Sequence, residues 1–310
     1  MYDIADLDLD RDERDEQLAD LRAMEGLGRD DVNDLWYVAR HADVSEVSHN
    51  PEVFSSAGGV TYFESTPLSF VTMDEPEHGR LRRIVSRQFT PKMVKGLRET
   101  TRDYVSAAID ATERHEPVDI VSSISAPVTL RVIADMLGIP PADLPQVRAW
   151  TDTMMDAGGR LDEPGVLESA TENFVAWSAY VDEQVAVRLR SPGSDLLSLL
   201  AHSGDERLDP DELAMFATTL MVAGNETTRH TSTQGLHALL THPDQMRLLR
   251  EDPSRMPLAT EEILRWTSVA RGMMRTVTTG SELAGTALSA GDRMMLLYPS
   301  ANRDETVFAD

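Results

Sequence analysis

Asp209-Pro210-Asp211-Glu212 opens a stretch that meets no stop signal before His242-Pro243. Asp209 can cap a helix, Pro210 suits its first position, and Glu212 completes the capping-box spacing. The predicted helix has about 32 residues and runs roughly 48 Å at ~1.5 Å per residue, enough to cross a whole domain. Upstream, helical patterns near 92–113, 122–137, 141–157, 164–190 and 194–202 are separated by Pro117, Gly138-Ile139-Pro140-Pro141, Gly158-Gly159 and Pro192-Gly193. Downstream, one helix follows Pro243 and another covers roughly 257–266. After Gly272 the texture changes. Met274-Arg275-Thr276-Val277, Leu283-Ala284-Gly285 and residues 294–298 read as short strands around a turn at Ala290-Gly291-Asp292. Near the start, Leu35-Trp36-Tyr37-Val38 reads as a strand, and 43–48 as a short helix stopped by Asn50-Pro51. The expected fold class is mainly α with a small β-sheet. With no long linker, residues 1–310 are expected to form a single domain.

Composition narrows the function. The chain has 310 residues, 41% of them apolar and 26% charged, which excludes disordered and collagen-like classes. No apolar run approaches the ~18 residues of a membrane span. The start, MYDIADLDLDRDERDEQLAD, is acidic where a signal peptide is basic and then apolar, so a cytoplasmic protein is expected. Cysteine is absent, which excludes disulfides, Cys-ligated zinc and thiol catalysis within this chain. A net charge of −24 argues against nucleic acid, whose recognition rests on neutralising phosphate. Yet residues 78–102 carry eight Arg or Lys against Glu99 alone. Such an island suits an anionic ligand or an acidic partner; it also suits a solvated helical face.

The middle of the long helix reads Met221-Val222-Ala223-Gly224-Asn225-Glu226-Thr227-Thr228-Arg229-His230. Gly, Asn and Thr are poor choices there, Gly costing about 1 kcal/mol against Ala. Ala223 and Gly224 remove side-chain bulk, so a flat ligand could lie against the backbone. Thr227 can bond the Ala223 carbonyl four residues back, and such bonding often bends a helix. A widened turn with the acid Glu226 and the alcohol Thr227 can hold water and pass protons. A simple small-residue helix crossing fits the same residues. Glu226 and His230 have metal-ligand spacing, but no second carboxylate–His pair joins them, so no metal site is expected from them.

Three further groups stand out. His78 and Arg82 are four apart and share a face if helical, where two donors could grip a carboxylate. Arg275, on a predicted strand, could supply a third cation. Glu262 and Arg265 lie on one face of the 257–266 helix, either as a surface pair or as a partly buried pair needing further partners.

Taken together, these features resemble the cytochrome P-450 haem-thiolate monooxygenases of the soluble bacterial type. The resemblance rests on Trp36-Tyr37-Val38-Ala39-Arg40-His41-Ala42-Asp43-Val44, on Met73-Asp74-Glu75-Pro76-Glu77-His78-Gly79-Arg80-Leu81-Arg82-Arg83 with Phe89-Thr90-Pro91, and on Ala223-Gly224-Asn225-Glu226-Thr227-Thr228. The Glu262/Arg265 pair and Ser300-Ala301-Asn302-Arg303-Asp304 before Val307-Phe308 follow in family order. The resemblance implies a cytochrome P-450 fold with haem b as cofactor. His78 and Arg82 match contacts to one haem propionate, and Arg275 the strand arginine that holds the other. Thr227 matches the alcohol that helps deliver protons, and Glu226 the acid beside it. Ala223 and Gly224 match the stretch over the distal haem face. Val269 and Ala270 match positions facing substrate, and Glu262 with Arg265 a structural pair.

The family's axial ligand is a cysteine thiolate. None occurs here, so the fold is expected to be incomplete at the C-terminus, with the axial Cys beyond Asp310. The implied activity is hydroxylation of an unactivated C–H bond of a lipophilic sterol, terpenoid or fatty-chain compound, using dioxygen. Electrons would come from a ferredoxin and its ferredoxin reductase. The alternative is a non-catalytic, truncated helical binding protein of the same fold.

Overall fold

A computed structural model describes residues 11–62, 68–113, 115–157, 163–204 and 207–309. The first ten residues, the Gly158-Gly159 break and Asp310 lie outside the described residues. The chain divides into two compact units. The first comprises Met1–Pro67, Val71–Asp74 and Gln234–Asp310; the second comprises Leu68–Phe70 and Glu75–Thr233. The division falls between Thr233 and Gln234, inside the long helix over Pro210–Thr241. No linker composition marks it, because the backbone there is continuous helix.

The first unit is built on a five-stranded sheet. Its N-terminal part contributes α1 (Arg11–Ala23), β1 (Gly28–Asp30), β2 (Leu35–Val38), α2 (His41–His49) and β3 (Phe54–Ser55). Its C-terminal part contributes β4 (Gly272–Val277), the hairpin β5 (Ser281–Leu283) and β6 (Thr286–Leu288), and β7 (Arg293–Leu297). Strand order is β1-β2-β7-β4-β3, and β2 runs parallel to β7 with Trp36 opposite Met294. That pairing ties the two ends of the chain into one unit. Leu35, Val38, Met294 and Leu296 are fully buried at its centre. Two readings are corrected. Leu283 ends β5, while Ala284 and Gly285 form the turn, with φ of 52° and 79°; two left-handed residues match the twist of a tight hairpin. Tyr298 leaves the sheet and opens α12 (Tyr298–Ala301).

The second unit is helical. It holds α3 (Glu77–Ser86), α4 (Pro91–Asp110), α5 (Ala126–Leu137), α6 (Leu144–Asp156), α7 (Val166–Arg190) and α8 (Leu196–Ala201). It also holds α9 (Pro210–Thr241) as far as Thr233. The expected capping box forms: the Asp209 amide donates to Glu212 Oε2 at 3.0 Å, and the Glu212 amide donates to Asp209 Oδ1 at 2.8 Å. Trp177 of α7 is wholly buried, and its Nε1 donates to Thr218 Oγ1 of α9 at 3.0 Å. A buried indole N–H needs such a partner. Among the described residues no helix is long and apolar enough to cross a membrane.

Candidate functional site

Helix α9 carries most of the predicted chemistry, and its surroundings sort its residues by face. Asn225 is buried, and its Oδ1 accepts from Thr129 Oγ1 of α5 at 2.8 Å. Eight residues on, Thr233 Oγ1 lies 2.8 Å from Ser125 Oγ. These two polar pairs fix α9 against the chain around α5. Gly224 lies on the same side, for a Cβ there would stand 3.0 Å from Ile133 Cδ1. The glycine therefore permits close helix approach, the second of the two uses its small size suggested. Ala223 and Thr227 are exposed instead, giving α9 a low, uncluttered face.

Thr227 bonds as expected, its Oγ1 donating to the Ala223 carbonyl at 2.7 Å. The expected widened turn is absent: α9 stays α-helical throughout, and the π-helical turn lies elsewhere, at Val121–Ser125. A threonine that adds a bond to a carbonyl need not break the helical ladder. Glu226 faces away from Thr227. It is buried, ion-paired to Arg229, and 3.4 Å from His230 Nε2. Arg229 also reaches Asp152 of α6 at 3.5 Å. Burial pushes the Glu226 carboxyl up, against the pull of Arg229 and His230. Sequence reasoning missed Arg229, whose signal is its i, i+3 spacing from Glu226, and Asp152, which reaches Arg229 from a distant helix and leaves no local signal.

His78 and Arg82 share a face of α3. His78 Nδ1 lies 3.0 Å from Glu75 Oε1. Arg82 is exposed and has no hydrogen-bond or ion partner among the described residues. Its neighbour Arg80 differs: it pairs with Glu77 at 2.8 Å and with Glu212 at the head of α9.

In the first unit, Arg275 of β4 is half-buried with no carboxylate partner among the described residues; its Nη1 donates to the Met274 carbonyl at 2.7 Å. Helix α10 (Pro243–Glu251) precedes α11 (Met256–Thr267), which carries the Glu262/Arg265 pair. The pair is bidentate, both bonds 2.7 Å. Arg265 finds the further partners such a pair needs. Its Nη1 donates to the Asn302 carbonyl at 2.6 Å, and its guanidinium lies 5.1 Å from the Phe308 ring centre. Hydrogen bonding to Arg265 holds the Glu262 carboxyl below its usual range, outweighing desolvation. The Asn302-Arg303-Asp304 motif locks the same corner. Asn302 Nδ2 donates to Ser268 Oγ at 2.9 Å, Arg303 donates to the Trp266 carbonyl at 2.9 Å, and Asp304 accepts the His41 amide at 2.8 Å. Ser268, at φ 41°, turns the chain out of α11 into half-buried Val269 and exposed Ala270.

Arg82 of the second unit and Arg275 of the first each have no carboxylate partner among the described residues, so each can meet a carboxylate of a ligand, and α9 offers an exposed face at Ala223 and Thr227. A Cys thiolate is not among the residues present.

The fold is mainly helical, with a small mixed sheet and one long capped helix. A family model for cytochrome P-450 matches residues 181–310. A steroid C26-monooxygenase of Mycobacterium tuberculosis is 36% identical over 282 residues, covering 90% of this chain and 76% of that protein. A methyl-branched lipid omega-hydroxylase of Mycobacterium bovis is 38% identical over 294 residues, covering 90% and 68%. The structure of a Mycobacterium marinum cytochrome P-450 in complex with pseudoionone superposes with a TM-score of 0.88 at 32% identity, covering all of this chain and 82% of that one. The chain belongs to the cytochrome P-450 family of monooxygenases.

Proposed function

We propose that this protein hydroxylates an unactivated C–H bond of a lipophilic substrate of the sterol, terpenoid or fatty-chain type. The relatives named for steroid and methyl-branched lipid hydroxylation support the substrate class. The observation that carries the reading is the exposed hydroxyl of Thr227 on the small-residue face of α9. Haem b, when bound, supplies dioxygen activation. The chain's own residues bind and orient. His78 and Arg82 in the second unit, and Arg275 in the first, neutralise propionates. Ala223 keeps the face beside Thr227 clear, Gly224 lets α9 seat against Ile133 of α5, Thr227 holds a proton donor at Oγ1, and Glu226, next to it in sequence, is held in the interior by Arg229. Val269 and Ala270 face substrate, while Glu262 and Arg265 hold α11 to the chain beyond it. Electrons come from a ferredoxin and its reductase in the cytoplasm, attracted to the basic island of residues 78–102.

The test is to load the protein with haem and titrate it with a sterol, a methyl-branched fatty acid and a terpenoid. A substrate-dependent shift of the haem absorption band is expected, with hydroxylated product when ferredoxin and reductase are added. Haem retention with no turnover on any of the three would mark a non-catalytic binding protein instead.

A further inference from the structure

We propose that Glu75 is a positioning residue for His78: its carboxylate fixes the imidazole through Nδ1, Gly79 supplies the space that carboxylate occupies, and Nε2 becomes the ring nitrogen presented to an anionic ligand group. The inference deepens the reading of His78 as a propionate contact and rests on it.

The geometry begins with the start of α3. Pro76 stands at its N-cap and offers no side-chain oxygen, so the orphan amides of the first turn need another acceptor. Glu75, one residue further out, reaches back. Its Oε2 accepts the Gly79 amide at 3.1 Å, and its Oε1 takes the His78 Nδ1 at 3.0 Å. A Cβ on residue 79 would stand 2.4 Å from Oε2 and 2.9 Å from Oε1, so the carboxylate fits only because residue 79 is glycine. The His78 ring also meets Phe70, with centroids 6.3 Å apart. The His78 bond first, and the Gly79 amide after it, hold the Glu75 carboxyl below its usual range, so it is ionised at neutral pH.

An ionised carboxylate only accepts, so Nδ1 carries the proton in this bond. The hydrogen bond made by one ring nitrogen sets the role of the other. With Nδ1–H committed to Glu75, Nε2 can donate to an anionic oxygen only when the ring carries both protons. Glu75 then balances the ring's charge on one side while the ligand group meets it on the other. This is the arrangement by which carboxylates orient histidine ligands elsewhere. The other charged groups nearby are Arg82, one turn along α3, and Arg83, whose charge acts on Glu75.

The test reads the ring directly. Histidine is labelled with nitrogen-15 and two-bond proton–nitrogen correlations are recorded at neutral pH, with His78 assigned by its loss in His78→Gln. Wild type is expected to show a protonated Nδ1. Glu75→Ala and Gly79→Ala are both expected to move the Nδ1 proton to Nε2, although alanine at 79 favours the helix itself. A purely capping role for Glu75 predicts no such change from Gly79→Ala in a helix of unaltered or raised stability. If either variant fails to fold, Glu75→Gln keeps the bulk and removes the charge, and is expected to weaken the preference for the Nδ1-protonated ring. An unchanged His78 pattern in the folded variants overturns the proposal. Haem dissociation from the loaded protein is measured beside it, with a several-fold faster rate expected in Glu75→Ala. A changed ring pattern with unchanged haem dissociation would leave Glu75 as the positioning residue and remove His78 from the propionate contact.

Discussion

Glu226 and Thr227 are adjacent in sequence and opposite in environment. Glu226 is 8% exposed and held by Arg229, while Thr227 is exposed, its hydroxyl 2.7 Å from the Ala223 carbonyl. The acid and the alcohol share no hydrogen bond, so each can be altered without disturbing the other's partners.

Thr227→Ala is expected to keep haem content and substrate binding while wasting reducing equivalents as hydrogen peroxide. Positioned proton transfer contributes ~10²–10⁴-fold in rate, so product per reducing equivalent should fall several-fold or more. Thr227→Ser restores an oxygen at the same atom and should recover most of the loss. The measurement is product and peroxide per reducing equivalent consumed. A product ratio unmoved by the alanine variant removes Thr227 from the mechanism.

Glu226 ties stability to pH. Its folded-state carboxyl is raised above the ordinary 4.5, mainly by burial. The folded chain therefore holds this proton more tightly than the unfolded chain does. Stability from this group is full at pH below about 4.5 and falls as pH rises through the folded value. Glu226→Gln carries no such charge, so its stability relative to wild type should rise across that window. Urea midpoints on either side of the window check the sign. A difference between variant and wild type that stays constant with pH would show that Arg229 and His230 fully offset the burial.

The long helix was legible to the residue, since Asp209, Pro210 and Glu212 are local signals that tertiary context did not override. So were β2 and α11. Helix α1 was not: its 13 residues are mostly charged, and among its described side chains only Leu18 and Leu21 are buried. The unit boundary was hidden because it falls within a continuous helix. Among the candidate residues, Arg265 was readable as a paired cation, but its bond to the Asn302 carbonyl spans 37 residues and has no local trace. Gly224 fitted two roles, and Ile133 opposite it decides for close helix packing. Contacts made across sequence distance set these outcomes, and one-dimensional spacing does not encode them.

The proposed docking of an acidic ferredoxin on the basic island should make electron transfer depend on salt. Arg83 and Arg87 are exposed on and just beyond α3. Opposite charges steer encounter, and screening shortens their reach to ~8 Å near physiological ionic strength. Reduction rates should fall as salt rises, and Arg83→Glu or Arg87→Glu should lower the rate and flatten the salt dependence. Stopped-flow reduction over a salt series measures both. Kinetics indifferent to salt would exclude this face as the docking surface.

The close approach of α9 to α11 within the first unit depends on Gly235. A Cβ there would stand 2.5 Å from Ile263 Cγ2. Two effects of Gly235→Ala oppose each other. Alanine favours a helix interior by about 1 kcal/mol over glycine. Overpacking a fitted contact costs ~1–3 kcal/mol. The clash should win, because Cγ2 is bonded directly to the Ile263 Cβ and can move aside only by rotating χ1 or shifting the helix. Gly235→Ala is therefore expected to destabilise, despite its better propensity. Ile263→Leu moves the branch one carbon out and vacates the Cγ2 position. The double variant should then be more stable than the sum of the two single changes, by on the order of 1 kcal/mol of coupling. Urea denaturation of the four proteins closes the cycle. Strict additivity would mean that α9 and α11 part freely to admit the methyl group, and that Gly235 does not set their spacing.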